Sequence, residues 1–96
     1  MKFTEKDLFY DNYSWAADGG DDPHYKKYLD RIKVDKTEGY EVLYFCNDFL
    51  VDNKKELTKV NLQRVERILK SQDLSNVQSR ILLNIEVNRR WNIFLL

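Results

Sequence analysis

The apolar stretch from Thr37 to Val51 constrains the fold of this chain more than any other part of it. Nine of the twelve residues from Tyr40 to Val51 are apolar or aromatic. At about 100° per residue, a helix gathers most of these side chains on one face. The residues on that face are Val42, Leu43, Phe45, Cys46, Phe49 and Leu50. The stretch therefore predicts a central apolar helix over about residues 36–51.

The same helix carries a second apolar stripe. Tyr40, Tyr44 and Val51 lie on the side opposite the first face. A helix that is apolar on two sides is either sandwiched inside its own fold or leaves one stripe for a partner. The short amphipathic helices elsewhere in the chain favour the first arrangement, and the second stays open.

Capping residues and helical periodicity predict four further elements. These are a short turn capped by Thr4, and helices over Pro23 to Lys33, about 60–70 and about 75–90. In the helix over 60–70, Glu66 lies with the outward polar residues, and the apolar residues that face inward are Leu62, Val65, Ile68 and Leu69. Ser75 with Gln78 forms a capping box, as does Asp35 with Glu38. We predict an all-α fold, a compact bundle of four to five short helices in a single domain over residues 1–96.

Two segments lack a clear period. The aromatic run Phe9, Tyr10, Tyr13 and Trp15 fits neither a strand nor a helix, so we expect irregular chain laid over the core. The conformation of residues 86–96 stays open, since Ile85-Glu86-Val87-Asn88 alternates like a strand as well as fitting a helix. The apolar end of the chain should pack on the core or on another chain.

The chain offers little catalytic or metal-binding chemistry. The loop from Asp18 to Pro23 holds three aspartates, but the sixth and twelfth positions counted from Asp18 are Pro23 and Leu29, so the calcium-loop pattern fails. His24 and Cys46 are the only histidine and cysteine, and Cys46 lies in the predicted core face. Zinc needs more nitrogen or sulfur ligands than these. We expect no cofactor, no metal site and no enzymatic activity.

Composition and charge narrow the partner classes. Sixteen basic and sixteen acidic residues cancel, which gives no reason to expect a polyanionic partner. Residues 1–50 hold seven Lys or Arg against eleven Asp or Glu, and residues 51–96 hold nine against five. One cysteine fits a reducing compartment, and neither a leader nor a membrane-spanning run is apparent. We therefore expect a soluble cytoplasmic protein that does not contact a membrane.

With these residues placed, the chain resembles a family of small uncharacterised bacterial proteins. The family pattern is a Trp, then Gly-Asp-Asp-Pro, Glu-Gly-Tyr-Glu-Val-Leu-Tyr, Ser-Asn-x-Arg-Ser-Gln and a late Trp. The matching positions here are Trp15, 20–23, 38–44, 75–80 and Trp91. Where the family has Arg-Ser-Gln, this chain has the reverse order, Gln78-Ser79-Arg80. It also has Lys36-Thr37 where the family has Asn-Arg. The resemblance implies a soluble bacterial protein and no particular activity.

One alternative function is DNA binding. The helices predicted at 60–70 and 75–90 form a pair like a helix-turn-helix, with Gln78 and Arg80 near the start of the second helix. Arg64 and Arg67 would then contact phosphates. The missing turn glycine and the neutral charge favour an ordinary helical hairpin instead.

The leading hypothesis is a non-enzymatic protein-interaction or regulatory module or a small homodimer. Its predicted contacts are Tyr40, Tyr44, Trp91 and Phe94, since Tyr and Trp bury large areas and keep a polar atom. A third hypothesis is a small inhibitor or immunity-type protein, whose acidic N-terminal half would meet a basic target.

Overall fold

Three α-helices form the body of the described part of the protein. The computed structural model describes residues 3–15 and 32–92. Helix α1 spans Gly39–Asp52, α2 spans Lys59–Leu69 and α3 spans Arg80–Arg90, with 3-10 turns at Glu5–Asp7 and Gln72–Leu74. Within the described ranges no strand forms, only two isolated bridges. The all-α class is confirmed, and the described residues contain fewer helices than the four to five predicted.

Helix α1 is the centre of the fold, as its sequence predicts. It buries ten of its fourteen residues, including Tyr40 and Tyr44 from the second stripe. Helix α2 packs on α1, and α3 packs on α2. The largest fully buried side chains come mainly from α1 and α2, with Phe45 and Phe49 stacked at 6.3 Å between ring centroids. The second stripe is thus sandwiched within the chain, except for Val51, which is 54 % exposed.

The start of α1 lies three residues later than predicted, because local and tertiary hydrogen bonds hold Thr37 and Glu38 out of the helix. The Asp35 carboxylate accepts from the Thr37 backbone N–H at 2.9 Å and from its hydroxyl at 2.6 Å. Ser14 pairs with the same segment, since its N–H donates to Thr37 O and its carbonyl accepts from Gly39 N. Glu38 is the N-cap but its side chain makes no capping bond. The predicted Asp35 and Glu38 capping box is therefore wrong.

Gly39 is required by close packing. A Cβ atom at this position would lie 2.4 Å from the ring of Trp15. Trp15 also meets Tyr40 edge to face, with ring centroids 4.8 Å apart. Glycine at the first position of α1 therefore lets the tryptophan ring rest against the helix.

Helix α2 agrees with its prediction and α3 does not. Thr58 caps α2 by accepting from Asn61 N at 3.2 Å, and the four predicted inward residues are all fully buried. Helix α3 begins at Arg80 with Ser79 as N-cap, so the predicted start and capping box at Ser75 are wrong. The reason is an antiparallel bridge between Lys33 and Ser79 that keeps residues 77–79 out of the helix.

The same bridge shows that the end of the helix predicted from Pro23 to Lys33 is wrong. Ile32 and Lys33 are not helical: the Ile32 carbonyl accepts from Arg80 N at 2.8 Å, and Lys33 pairs with Ser79. The rest of that predicted helix, with the Asp18 to Pro23 loop and His24, lies outside the described residues. Residues 86–90 are helical, and residues 93–96 are also outside the described part.

The segment Leu8 to Trp15, which we call the strap, is irregular chain on the core, as predicted. Leu8 and Tyr13 are 8 % exposed and belong to the hydrophobic core. The preceding 3-10 turn has Thr4 as its N-cap, as predicted, and the Asp7 carboxylate accepts from Thr4 N at 2.8 Å. The side chain of Gln63 donates to the Asp7 carbonyl at 2.9 Å and ties this turn to α2.

Candidate interaction surface

A buried carboxylate fixes the strap to α2. Glu66 is 0 % exposed, which corrects its predicted outward position. Its Oε1 accepts from Phe9 N at 2.7 Å, and its Oε2 accepts from Tyr10 N at 3.2 Å and from the Tyr13 hydroxyl at 2.5 Å. Burial, followed by the hydrogen bond to Glu66 and the charge of Glu66, raises the pKa of Tyr13 well above its usual range.

The buried polar groups around Glu66 have a structural role. The three donors occupy both oxygens of the carboxylate, and a buried charge is tolerated when it is hydrogen-bonded in this way. Cys46 is also 0 % exposed, and burial raises its pKa well above 9.0, with the charge of Glu66 adding to the effect. A buried protonated thiol is a poor nucleophile. Glu66, its donors and Cys46 therefore stabilise the fold and offer no reactive group at the surface.

Three of the four residues predicted to contact a partner are buried within the chain. Tyr40 is 6 % exposed, Tyr44 2 % and Trp91 8 %. Trp91 packs on Phe49 with ring centroids 5.7 Å apart. At these exposures the three aromatic side chains offer little area to a partner, so their placement favours a role in the core. Phe94 lies outside the described residues.

The residues of the predicted DNA-binding surface point to different neighbours. Arg64 lies over the ring of Trp91 at 4.8 Å, and Arg67 lies over the ring of Phe9 at 4.3 Å. Arg80 is 3.9 Å from the carboxylate of Glu41. Gln78 is exposed but precedes α3, so it is not on a recognition helix.

Arg80 and Arg64 are also far apart along α3. Arg80 begins α3, whereas Arg64 contacts Trp91 just beyond its end. Eleven helical residues span about 16 Å. Arg80 and Arg64 therefore lie near opposite ends of α3.

The largest exposed apolar feature of a described helix is on α3. Ile81 is 74 % exposed, Leu82 52 % and Ile85 50 %, whereas Leu83 and Val87 are fully buried. Ile81 and Ile85 are four residues apart and therefore adjacent on the helix surface. We call Ile81, Leu82 and Ile85 the α3 apolar face. We did not predict this face as a site, although the spacing of Ile81 and Ile85 in the sequence places them on one side of a helix.

A groove beside this face supplies polar groups. It has a volume of about 410 Å³ and lies between the end of α1 and α3. It is lined by Asp52, Asn53, Arg80, Ile81, Asn84 and Ile85. The Asn53 side-chain amide donates to the Asn84 side-chain carbonyl at 3.4 Å and to the Phe49 backbone carbonyl at 2.9 Å. The groove therefore combines apolar walls with a rim of both charge signs.

Comparison of the chain with protein families, with characterised proteins and with solved structures gives no match. Among the described residues, no group of three or more His, Cys, Asp or Glu side chains is placed to hold a metal ion. No helix in that part of the chain is long and apolar enough to cross a membrane.

Proposed function

We propose that this protein is a small non-enzymatic interaction module of the cytoplasm that forms a homodimer through the α3 apolar face. The observation that carries the proposal is the exposure of Ile81, Leu82 and Ile85 on one helix. Single exposed apolar residues are ordinary, but several adjacent ones typically belong to an interface. The proposal keeps the predicted function and moves its contact from the buried aromatic residues to α3.

A second copy of the chain is the occupant that fits this face. The net charge is zero, so two copies do not repel each other through long-range fields. The rim of the groove holds an acid, Asp52, and a base, Arg80. In a two-fold dimer each copy presents the same patch, and a patch with both signs is able to complement itself. With the two α3 helices antiparallel, Ile81 of one copy would pack on Ile85 of the other.

Charge insertion into the face tests the proposal. In the variant Ile81→Lys with Ile85→Lys, self-association measured by sedimentation velocity should weaken by at least about tenfold, because each copy would bring two ammonium groups into the contact, where they would be desolvated. Val60→Lys is the matched control, since Val60 is also an exposed apolar helix residue, at 70 %, but lies on α2. The control should associate like the original chain. Equal association of all three proteins would contradict the proposal.

The other two hypotheses rest on the sequence alone. The geometry gives the DNA-binding alternative no added support, because Arg64, Arg67 and Arg80 each contact other side chains of the fold. No acidic surface that would favour an inhibitor of a basic target stands out among the described residues, where the exposed acids are spread over several elements.

A further inference from the structure

A second cleft lies beside the strap and shares no residue with the groove at α3. Its volume is about 290 Å³. It is lined by Glu5, Lys6, Leu8, Tyr10, Asp11 and Trp15. Two aromatic rings and two carboxylates thus meet one small concave space, and neither the fold nor the proposed dimer uses this combination.

Both aromatic walls are held in place by contacts behind them. Trp15 rests against Gly39 and meets Tyr40 edge to face at 4.8 Å. The backbone of Tyr10 is fixed by its hydrogen bond to Glu66, and its ring meets Phe9 edge to face at 5.0 Å. A ligand entering the cleft would therefore meet rings that are already ordered, which lowers the entropic cost of binding.

The charges around the cleft favour a cation. Glu5 and Asp11 are exposed acids, and Lys6 is the single base among the lining residues. Among the described residues, no salt bridge joins Lys6 to either carboxylate. The aromatic rings add negative potential at their faces. The ammonium of Lys70 already lies 4.9 Å from the centre of the Tyr10 ring, so Lys70, like Lys6, competes with a bound cation.

We propose that this cleft, lined by Tyr10 and Trp15, binds a small organic cation, an alkylammonium group neutralised by Glu5 and Asp11. The volume accommodates a trimethylammonium head group. Lys6 competes for the same carboxylates and lowers the affinity. The proposal concerns a different surface from the α3 apolar face and does not depend on dimer formation.

Choline and its neutral isostere, 3,3-dimethyl-1-butanol, are the probes that test the proposal. In a titration followed by NMR at constant ionic strength, choline should shift the Trp15 indole N–H and saturate with a dissociation constant of about 1–20 mM, the range of a partly exposed cation–π site. The Trp91 indole, packed against Phe49, serves as an internal reference. Equal binding of the isostere would show an apolar cleft only and overturn the proposal, as would an unshifted Trp15 signal.

Two variants separate the charge effect from loss of structure. Glu5→Gln with Asp11→Asn should weaken choline binding by about two- to fivefold, and Lys6→Gln should strengthen it, since charges on the cleft rim act through partly screened attraction. Glu56→Gln, an exposed glutamate before α2, is the control and should change nothing. An unchanged dissociation constant in both cleft variants, with the amide spectrum preserved, would refute the assignment.

Discussion

At the residue scale, the buried carboxylate of Glu66 stabilises the fold more than any exposed charge. Glu66→Ala would leave Phe9 N, Tyr10 N and the Tyr13 hydroxyl without their acceptor. The Tyr13 bond is buried, and the two backbone bonds are partly buried. A buried donor without a partner costs about 1–3 kcal/mol, so the free energy of unfolding should fall by about 2–4 kcal/mol. Urea denaturation measures this loss, and Glu56→Ala should change the same quantity by less than about 0.5 kcal/mol. Equal effects of the two substitutions would remove the structural role of Glu66.

Single residues also mark the limit of what the sequence could predict. Leu62, Val65, Ile68 and Leu69 are buried as their spacing indicates. Glu66 lies only about 40° around the helix from Leu62, at the edge of the buried face. Its charge predicted an outward position. The three donors that bond to its carboxylate come from residues more than fifty positions away, so no local pattern in the sequence indicated its burial. The sequence likewise left open whether Tyr40 and Tyr44 lie in the core or at the surface, because their burial also depends on distant parts of the chain.

At the element scale, the end of α1 carries a correctable strain. Lys54 has φ of 56°, in the left-handed region, while the following N–H of Lys55 donates to Leu50 O at 2.9 Å. Glycine adopts this conformation at the end of a helix without the steric cost of a Cβ. Lys54→Gly should therefore raise the free energy of unfolding by about 0.5–1 kcal/mol, measured by urea denaturation. Lys54→Ala, which keeps the Cβ, should not, and a destabilised glycine variant would contradict the assignment.

The existence of the three helices could be predicted from the sequence, and two of their starts could not. Ser75 and Ser79 are both acceptable N-caps in the sequence. Pairing of residues 32–34 with 78–80 selects Ser79, through the bonds from Val34 N to Gln78 O and from Arg80 N to Ile32 O. Ser14 similarly delays α1 until Gly39. Such contacts join distant segments, and helical periodicity carries no information about them.

At the scale of the whole molecule, two buried acids link stability to alkaline pH. Burial raises the pKa of Cys46 above 9.0 and of Tyr13 above 10.0, so the folded chain keeps protons that the unfolded chain loses. Their contribution is complete below about pH 9 and is lost as the pH rises. Burial lowers the pKa of Lys36 from 10.5, and the charge of Lys70 lowers it further. The Lys36 shift therefore changes stability with pH in the direction opposite to that of Cys46 and Tyr13.

The cysteine contribution is separable by mutation. Cys46→Ala removes one of the two raised acids and leaves Lys36 unchanged. Between pH 8 and pH 10 the variant should lose less unfolding free energy than the original chain, as measured by urea denaturation at each pH. Identical losses in the two proteins would show that Cys46 is not protected from ionisation.

The whole-molecule claim is that the α3 apolar face is covered by a second copy, and the solution mass of the unmodified chain tests it most directly. Light scattering over a concentration series should give a mass that rises from 11.6 kDa toward twice that value. The Ile81→Lys and Ile85→Lys double variant should stay at the lower mass throughout. A constant mass of 11.6 kDa for the unmodified chain at every concentration would contradict the dimer.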